Sequence, residues 1–281
     1  MTSFTKTLLT LAGCTLLAAC GGGGGGDDGP RTVFTNQPLD SRVPGESTIA
    51  AAGVVQDPFS GRAANVQVVL GSLDRPTQEL DLRELIENGE QIGENAWRSG
   101  SQTVTPVEDG AFASSNFAFL VPVNVTTDGD VAGTYIVGVV SRTQDLPSSG
   151  SATFRGPASV STLLGGTGGA SYAKASGDAT ITASFRNETV DLLVEDFSGD
   201  TMPFGSIEIS DMQISNDSNA TFASNGGSSY DIGSGDIVGE NARLDAEGAF
   251  YGGDSNGPAE AGGAFLIKGD DGEVFGVFAG N

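Results

Sequence analysis

Alternation of hydrophobic and polar residues is clearest in the second half of the chain. From Asp178 to Arg186 every second residue is apolar, and Thr189 to Glu195 repeats the pattern after Asn187-Glu188. Two alternating segments joined by a short polar turn are typical of a β-hairpin with one buried face. The pattern therefore predicts a hairpin whose apolar side chains enter a common core.

The next apolar segment, residues 207 to 214, changes parity along its length. Its first two apolar residues, Ile207 and Ile209, are odd-numbered, whereas Met212 and Ile214 are even-numbered. Because side chains alternate between the two faces of a strand, one inserted residue restores a continuous apolar face. We expect a β-bulge at Ser210-Asp211.

Further strand-like segments recur between clusters of Gly, Asp and Asn. Together with the three segments above they make eight or nine strands, and closure of such a sheet removes its exposed edges. The outward positions carry Thr, Ser, Asp, Arg and Glu, the reverse of a barrel that spans a membrane. The sequence thus predicts an all-β protein in which residues 131–281 form an eight-stranded antiparallel soluble β-barrel. The additional segments are Thr134 to Arg142, Ser151 to Arg155, Thr221 to Ala223, Ala242 to Tyr251, Ala259 to Lys268 and Glu273 to Phe278.

The hydrophobic pattern of residues 31–130 predicts a small β-rich extension packed on the barrel. Asn65 to Leu70 and Asn116 to Val125 alternate as strands do, and Pro122 marks the second as an edge or interrupted strand. Between them, the stretch from Pro76 to Ile86 has the start signal and apolar spacing of one short helix.

Composition excludes several classes of site. The chain of 281 residues has 13 Lys and Arg against 36 Asp and Glu, a net charge of −23, which opposes binding to nucleic-acid phosphates. It has no His and only two Cys, so no Ser-His-Asp or Cys-His machinery and no His/Cys metal site can form. We predict no catalytic, cofactor or metal site, with a hydrolase that uses carboxylates alone as the alternative.

Four stretches suggest ligand sites but have simpler interpretations. Asp254 to Gly257 is similar to the start of a calcium loop, yet the twelfth position is Phe265 instead of Glu, which favours a solvated turn. Gly165 to Gly169 lacks the Lys-Ser/Thr of a phosphate loop. The single tryptophan, Trp97, is interpreted as core packing or a lid over an apolar patch, with ligand stacking as the alternative. The Asn/Ser/Gly-rich stretch from Asn216 to Gly235 reads as a long loop and as the candidate ligand contact.

The N-terminus resembles that of a bacterial lipoprotein. Residues 1–19 have one Lys and an apolar run that is too short to span a bilayer, as in a signal peptide. Leu17-Ala18-Ala19-Cys20 resembles a lipobox, which implies lipid attachment at Cys20. Leu11 to Cys14 also fits the box but leaves a shorter apolar region, and a secretory signal with an incidental cysteine is a further alternative. Residues 20–30 read as a Gly-rich, disordered tether that carries the lipid, and the Gly after Cys20 implies export to the outer membrane.

Gly, aromatic and Pro-Ala-Glu positions recur at fixed offsets between Gly248 and Phe278. With these positions the carboxyl-terminal strands resemble the closing strands of the barrel in the transferrin-binding protein B family of surface lipoproteins, and residues 146–156 resemble an early strand of that barrel. Together the two stretches place the resemblance over roughly residues 133–281. The chain departs from the family in having one barrel and in ending Gly280-Asn281, where basic residues are expected. The matching positions are Gly248, Phe250, Tyr251, Gly252, Pro258, Ala259, Glu260, Gly262, Gly263, Phe265, Gly276, Val277 and Phe278.

The resemblance implies a protein on the cell surface of a Gram-negative bacterium that binds a protein ligand or an iron or haem carrier for nutrient acquisition. It implies contact with the membrane through the lipid only, export by a surface-lipoprotein translocon and transfer of cargo to a TonB-type receptor. An inert structural or assembly component of the envelope is the alternative. Without His, direct haem ligation would fall to one of four tyrosines: Tyr135, Tyr172, Tyr230 or Tyr251, the last expected in the core.

Overall fold

In the described part of the chain the regular structure is β, apart from two 3-10 turns at Gly110–Phe112 and Thr143–Asp145. The predicted all-β class is confirmed. No helix in the described part of the chain has the length and apolar character needed to cross a membrane. The predicted signal peptide, Cys20, the tether and the helix at 76–86 lie outside the described residues. The computed structural model describes residues 48–56, 63–71, 90–93, 96–107, 110–113, 115, 117–127, 130–165, 171–233, 237–253 and 257–281.

Seven of the described strands form an antiparallel N-terminal sheet in the order β2-β1-β7-β6-β5-β4-β3. The strand at residues 134–140, which the sequence analysis assigned to the barrel, is instead the central strand β7 between β1 and β6. Alternation identified it as a strand but could not identify its neighbours. The strands are β1 (Thr48–Gln56), β2 (Ala63–Gly71), β3 (Glu90–Gly93), β4 (Ala96–Ser99), β5 (Gln102–Pro106), β6 (Leu120–Thr127) and β7 (Asp130–Val140).

Pro122 lies inside this sheet, not on the expected edge, because β6 pairs with β5 on one side and β7 on the other. Its carbonyl accepts the Val107 N–H at 2.9 Å, just beyond the end of β5. In a strand, the N and C=O of one residue point to the same side. The Pro122 nitrogen, which has no N–H, therefore points to the side of β5 at a position beyond the end of that strand. The β5–β6 ladder, whose last pair is Pro106 and Val123, consequently loses no hydrogen bond.

The barrel closes through eight strands in the order β8-β9-β10-β11-β12-β14-β15-β16, with β16 paired to β8 and β12 paired to β14. The predicted closed, eight-stranded antiparallel barrel is confirmed. A further short strand, β13, continues along β11, so the stretch from Asn216 to Gly235 holds two strands and is not one long loop. The strands are β8 (Ser151–Leu164), β9 (Ser171–Ser184), β10 (Thr189–Gly199), β11 (Ile207–Ile214), β12 (Thr221–Ala223), β13 (Ser229–Ile232), β14 (Arg243–Tyr251), β15 (Glu260–Lys268) and β16 (Gly272–Gly280).

The predicted hairpin and bulge are both present. β9 and β10 pair from Ser184 and Thr189 onward, so the turn between them has four residues. Opposite β10, the register shifts at Ser210-Asp211, where the backbone of Asp211 has a φ of 59°. The Asp191 carboxylate accepts the Asp211 N–H at 2.9 Å, which satisfies a donor that the bulge takes out of the ladder.

Two hydrophobic cores share the strands β14 to β16. Inside the barrel, the Phe250 ring lies 5.3–6.0 Å from the rings of Phe154, Phe185 and Phe222, measured between centroids. On the outside, the N-terminal sheet covers the same strands. Strand β15 is consequently buried on both faces from Glu260 to Ile267. This double burial explains why its sequence is a continuous apolar run rather than an alternating one.

Many of the strand glycines lie beneath aromatic rings. A Cβ built on Gly248 would come within 2.3 Å of the Phe222 ring, and one on Gly53 within 2.2 Å of the Tyr135 ring. Such positions exclude every side chain, because the ring occupies the space above the backbone. The 43 glycines of the chain thus reflect, in part, close packing of aromatic rings on strands.

Candidate functional site

A buried carboxylate joins the two sheets. Glu260, at the start of β15, is 2% exposed, and its carboxylate accepts the backbone N–H groups of Ala118 at 2.5 Å and Phe119 at 2.9 Å. These donors belong to the segment that leads into β6. Because a charged acceptor strengthens such hydrogen bonds, Glu260 fixes the N-terminal sheet on the barrel.

Burial raises the pKa of Glu260, and the backbone N–H groups of Ala118, Phe119 and Leu120 oppose that rise. The neighbouring Tyr251 is fully buried, and its pKa is also raised, first by burial and then by the charge of Glu260. Its hydroxyl donates to the Ile136 carbonyl at 3.3 Å. Glu260 and Tyr251 therefore act as internal ties between the sheets.

Two further hydrogen bonds support this interface. The Val66 N–H donates to the Asp245 carboxylate of β14 at 3.3 Å, and burial raises the pKa of Asp245. The Ser141 hydroxyl donates to the Gly252 carbonyl at 2.6 Å. The N-terminal sheet is thus anchored along β14 and at the start of β15, which sets its distance from the adjoining barrel strands.

Beside this anchored region, the two sheets enclose a cleft of about 730 Å³. Its barrel side is formed by β8 and β9, with Ser159, Lys174 and Ser176. Its opposite side comes from the N-terminal sheet, with Thr105 and Asn124. Because ligand sites are concave and often lie between structural units, we treat this cleft as the candidate functional site.

A smaller pocket of about 120 Å³ adjoins the cleft and shares Asn124, Ser159 and Lys174 with it. Its remaining lining includes Tyr172 and Phe275. The two spaces form one candidate site, which we call the inter-sheet cleft.

Strand parity explains which side chains reach the cleft. On β9, Ala179, Ile181 and Ala183 enter the barrel core, whereas the even-numbered Tyr172, Lys174 and Ser176 belong to the outer face and line the cleft together with the buried Ala175. The β8–β9 register pairs Ser161 with Lys174 and Ser159 with Ser176. Short polar side chains therefore flank the exposed cationic side chain of Lys174.

Two hydrogen bonds order the polar lining. The Tyr172 and Ser161 hydroxyls lie 3.2 Å apart, although the Tyr172 side chain is 53% exposed. On the opposite wall, the Thr134 hydroxyl donates to Asn124 Oδ1 at 2.9 Å. That bond orients the Asn124 amide and leaves its NH₂ group as a donor.

The inter-sheet cleft differs in charge from the rest of the protein. None of the described residues that line it is an Asp or a Glu, and Lys174 is its one cation. The Asp200 carboxylate, which is not part of the lining, accepts the backbone N–H of Lys174 at 2.9 Å. In a chain with a net charge of −23, this lining is a local exception.

The structure separates the four tyrosines considered from the sequence. Tyr135 and Tyr251 are fully buried in the core beneath the N-terminal sheet, which rules them out as accessible ligands and agrees with the expectation for Tyr251. Tyr230 is half-buried on β13, and Tyr172 lines the inter-sheet cleft.

The other candidates from the sequence give no site in the described residues. Trp97 lies on β4, and the turn at 254–256 falls outside the described residues. Within the described ranges, no three His, Cys, Asp or Glu residues are grouped as metal ligands would be.

Sequence reasoning missed the inter-sheet cleft because its residues are common polar types on separate strands. The only local signal was the run Tyr172, Lys174, Ser176, which places one aromatic and one cationic side chain on the same face of β9. The predicted lipid-attachment residue, Cys20, lies outside the described residues.

Comparison with solved structures gives matches of low sequence identity. Transferrin-binding protein B from Haemophilus parasuis Hp5, a double mutant, matches at 15% identity and a TM-score of 0.49, over 83% of this chain and 44% of that one. The isotype 1 protein from serogroup B Neisseria meningitidis matches at 15% identity and 0.48, over 84% and 43%. HpuA from Kingella denitrificans, in complex with human haemoglobin, matches at 12% identity and 0.37, over 89% and 93%.

The chain spans less than half of the length of the transferrin-binding protein B structures that it matches. Those structures are of the protein that the carboxyl-terminal residues resemble. No protein-family model matches the chain, and no curated protein matches it.

Proposed function

We propose that this chain is a lipid-anchored outer-membrane protein that binds its ligand on the outside of the barrel and catalyses no reaction. The observation that carries the proposal is the contrast between the two spaces. Phenylalanine rings and aliphatic side chains fill the barrel interior, whereas the inter-sheet cleft stays open on its outer side. A ligand therefore has access to the outer surface and not to the lumen.

The lining of the cleft suits binding better than catalysis. It offers hydroxyl groups, an amide, one ammonium and one phenol, and its described residues include no carboxylate that could act as a general base beside a nucleophile. The chain also has no His, the side chain whose ordinary pKa lies closest to neutral pH.

For location, we propose that Cys20 carries the acyl chains and that residues 21–30 hold the folded part away from the outer membrane, on the cell surface. Two or three acyl chains bind a bilayer far more firmly than one. We further propose that the ligand is a protein that carries iron or haem. Export would then use a surface-lipoprotein translocon, and the cargo would pass to a TonB-type receptor. The lipobox and the carboxyl-terminal resemblance support this proposal.

The Cys20→Ser variant is expected to lose radiolabelled palmitate and to leave the membrane fraction, because Cys20 is the proposed acylation site. Its matched control is Cys14→Ser, which removes the other cysteine and should keep both the label and the membrane association. Protease added to intact cells should degrade the unchanged protein, as expected for a surface location. A label that follows Cys14, or persists in both variants, would contradict the anchor.

The same cells test the ligand. Intact cells that display the unchanged chain should bind fluorescent transferrin or haemoglobin, and cells that express Cys20→Ser should not. A chain that is acylated and protease-accessible but binds neither carrier would exclude the nutrient-acquisition proposal. It would leave the envelope-component alternative, for which loss of envelope integrity on gene deletion is the measurement.

A further inference from the structure

We propose that the inter-sheet cleft binds a hydroxylated carboxylate of the sugar-acid class, with the Lys174 ammonium paired to the ligand carboxylate. The inference rests on the proposed function and extends it by assigning a ligand class to the cleft. The small ligand would bind in addition to the protein carrier, which would contact a larger surface than this cleft offers.

The first argument is charge. The Lys174 side chain projects from the outer face of β9 into a lining in which no described residue is acidic, although the whole chain has 36 acids. The Asp200 carboxylate accepts the Lys174 backbone N–H, and none of the salt bridges between described residues joins it to the Lys174 ammonium. An ammonium whose described cleft neighbours include no carboxylate attracts an anion.

The second argument is the number of donors. The Lys174 ammonium, the Asn124 amide and the hydroxyls of Ser159 and Ser176 can all donate into the cleft. A ligand with several hydroxyl oxygens and one carboxylate presents acceptors to match them, and its own hydroxyls can donate to the serine oxygens. A purely apolar ligand would leave these groups without partners, at a cost of about 1–3 kcal/mol for each group that it buries.

The third argument is shape. The Tyr172 hydroxyl lies 3.2 Å from that of Ser161, and Tyr172 lines the smaller pocket together with Phe275 while it remains largely exposed. An aromatic face covers the C–H face of a sugar ring, while the phenol hydroxyl can bond to a ring substituent. A volume of about 730 Å³ lies in the range of small-molecule sites, about 300–1,000 Å³.

The single cation favours a carboxylate over a phosphate. Phosphate sites usually gather Arg side chains or a row of backbone N–H groups, which provide several positive contacts. The cleft has one ammonium, and the described residues that line it include no Arg. A monoanion therefore fits its charge.

Calorimetric titration of the full chain in detergent tests the proposal with three probes. D-glucuronate carries both the charge and the hydroxyls, D-glucose carries only the hydroxyls, and acetate carries only the charge. We expect saturable binding of glucuronate and at least tenfold weaker binding of the other two. Lys174→Met should weaken glucuronate binding about tenfold, because one charge-assisted hydrogen bond is lost.

Arg186→Met is the matched control, since it removes one positive charge from the exposed turn at the far end of β9. It should bind glucuronate as the unchanged chain does. Tyr172→Ala, at the side pocket, should weaken binding while leaving the thermal midpoint of unfolding within a few degrees, because the side chain is largely exposed.

Absence of saturable glucuronate binding by the folded chain would overturn the proposal, as would equal affinities for glucuronate and glucose or equal binding by Lys174→Met. These outcomes are separate from the test of the proposed function. Transferrin or haemoglobin binding by intact cells can succeed when glucuronate fails, and the purified chain can bind glucuronate even if Cys20 carries no lipid.

Discussion

We expect the Glu260→Ala variant to unfold with a free energy about 3 kcal/mol lower than that of the unchanged chain. The carboxylate is buried and accepts the backbone N–H groups of Ala118 and Phe119. The Leu120 backbone N–H also stabilises its charge. Removal of the carboxylate leaves buried donors without acceptors and opens a cavity next to Tyr251, the partner of Glu260 across the β14–β15 ladder. Urea denaturation followed by circular dichroism measures the change.

Glu208→Ala is the matched control, because Glu208 is an exposed glutamate on a barrel strand and its loss should change stability by less than about 0.5 kcal/mol. Glu260→Gln should fall between the two, since the amide keeps one acceptor oxygen and turns its NH₂ toward a backbone donor. Equal stabilities of Glu260→Ala and Glu208→Ala would show that the carboxylate does not hold the sheets together.

The Glu260 pKa also gives a pH dependence with a defined sign. Burial raises this pKa in the folded state above the value of about 4.3 for a free glutamate. Between these two pKa values the folded chain binds more protons than the unfolded chain, so the free energy of unfolding falls as pH rises. The stability difference between the unchanged chain and Glu260→Gln should therefore widen as pH falls through this window. A constant difference would contradict the raised pKa.

The hydrogen bonds between Glu260 and the segment before β6 also connect stability to the candidate site. Glu260 holds the start of β6, and Asn124 lies further along that strand in the wall of the inter-sheet cleft. Loss of the Glu260 hydrogen bonds would move this wall away from Lys174 without altering any cleft residue. We infer that the barrel strands set the position of the cation, whereas the buried carboxylate sets the position of the opposing donor.

Alternation in the sequence was sufficient to predict strands, turns and bulges wherever only one face of a strand is buried. The hairpin of β9 and β10 follows from their period of two, and the bulge at Ser210-Asp211 follows from a change of parity. These features depend on neighbouring residues along the chain, so a local pattern contains them.

Features that depend on distant partners could not be read in this way. β7 has the composition of a barrel strand, yet it pairs with β1, which lies more than 70 residues away along the chain. β15 is buried on both faces, which removes the alternation that would reveal its orientation. The inter-sheet cleft depends on the β8–β9 register together with β6, and no short motif records such an arrangement.

Barrel closure is sensitive to one missing side chain. β12 pairs with β14 through three residue pairs, and at the middle pair the Phe222 ring lies directly over Gly248. A Cβ at position 248 would come within 2.3 Å of that ring and 2.6 Å of the Gly262 carbonyl oxygen. Since β12 contributes the shortest strand of the barrel, few other contacts can absorb a displacement there.

We expect Gly248→Ala to destabilise the chain by about 3 kcal/mol, as overpacking of a dense core does, even though only one methyl group is added. Gly205→Ala is its matched control, because a Cβ at Gly205 meets no atom within 4 Å, and it should change the free energy of unfolding by less than about 1 kcal/mol. Phe222→Leu in the Gly248→Ala background removes the ring from above the added methyl group, so it should restore part of the loss and give a non-additive double-mutant cycle. Additive effects, or equal stabilities of the two alanine variants, would show that the ring over Gly248 does not limit closure of the barrel.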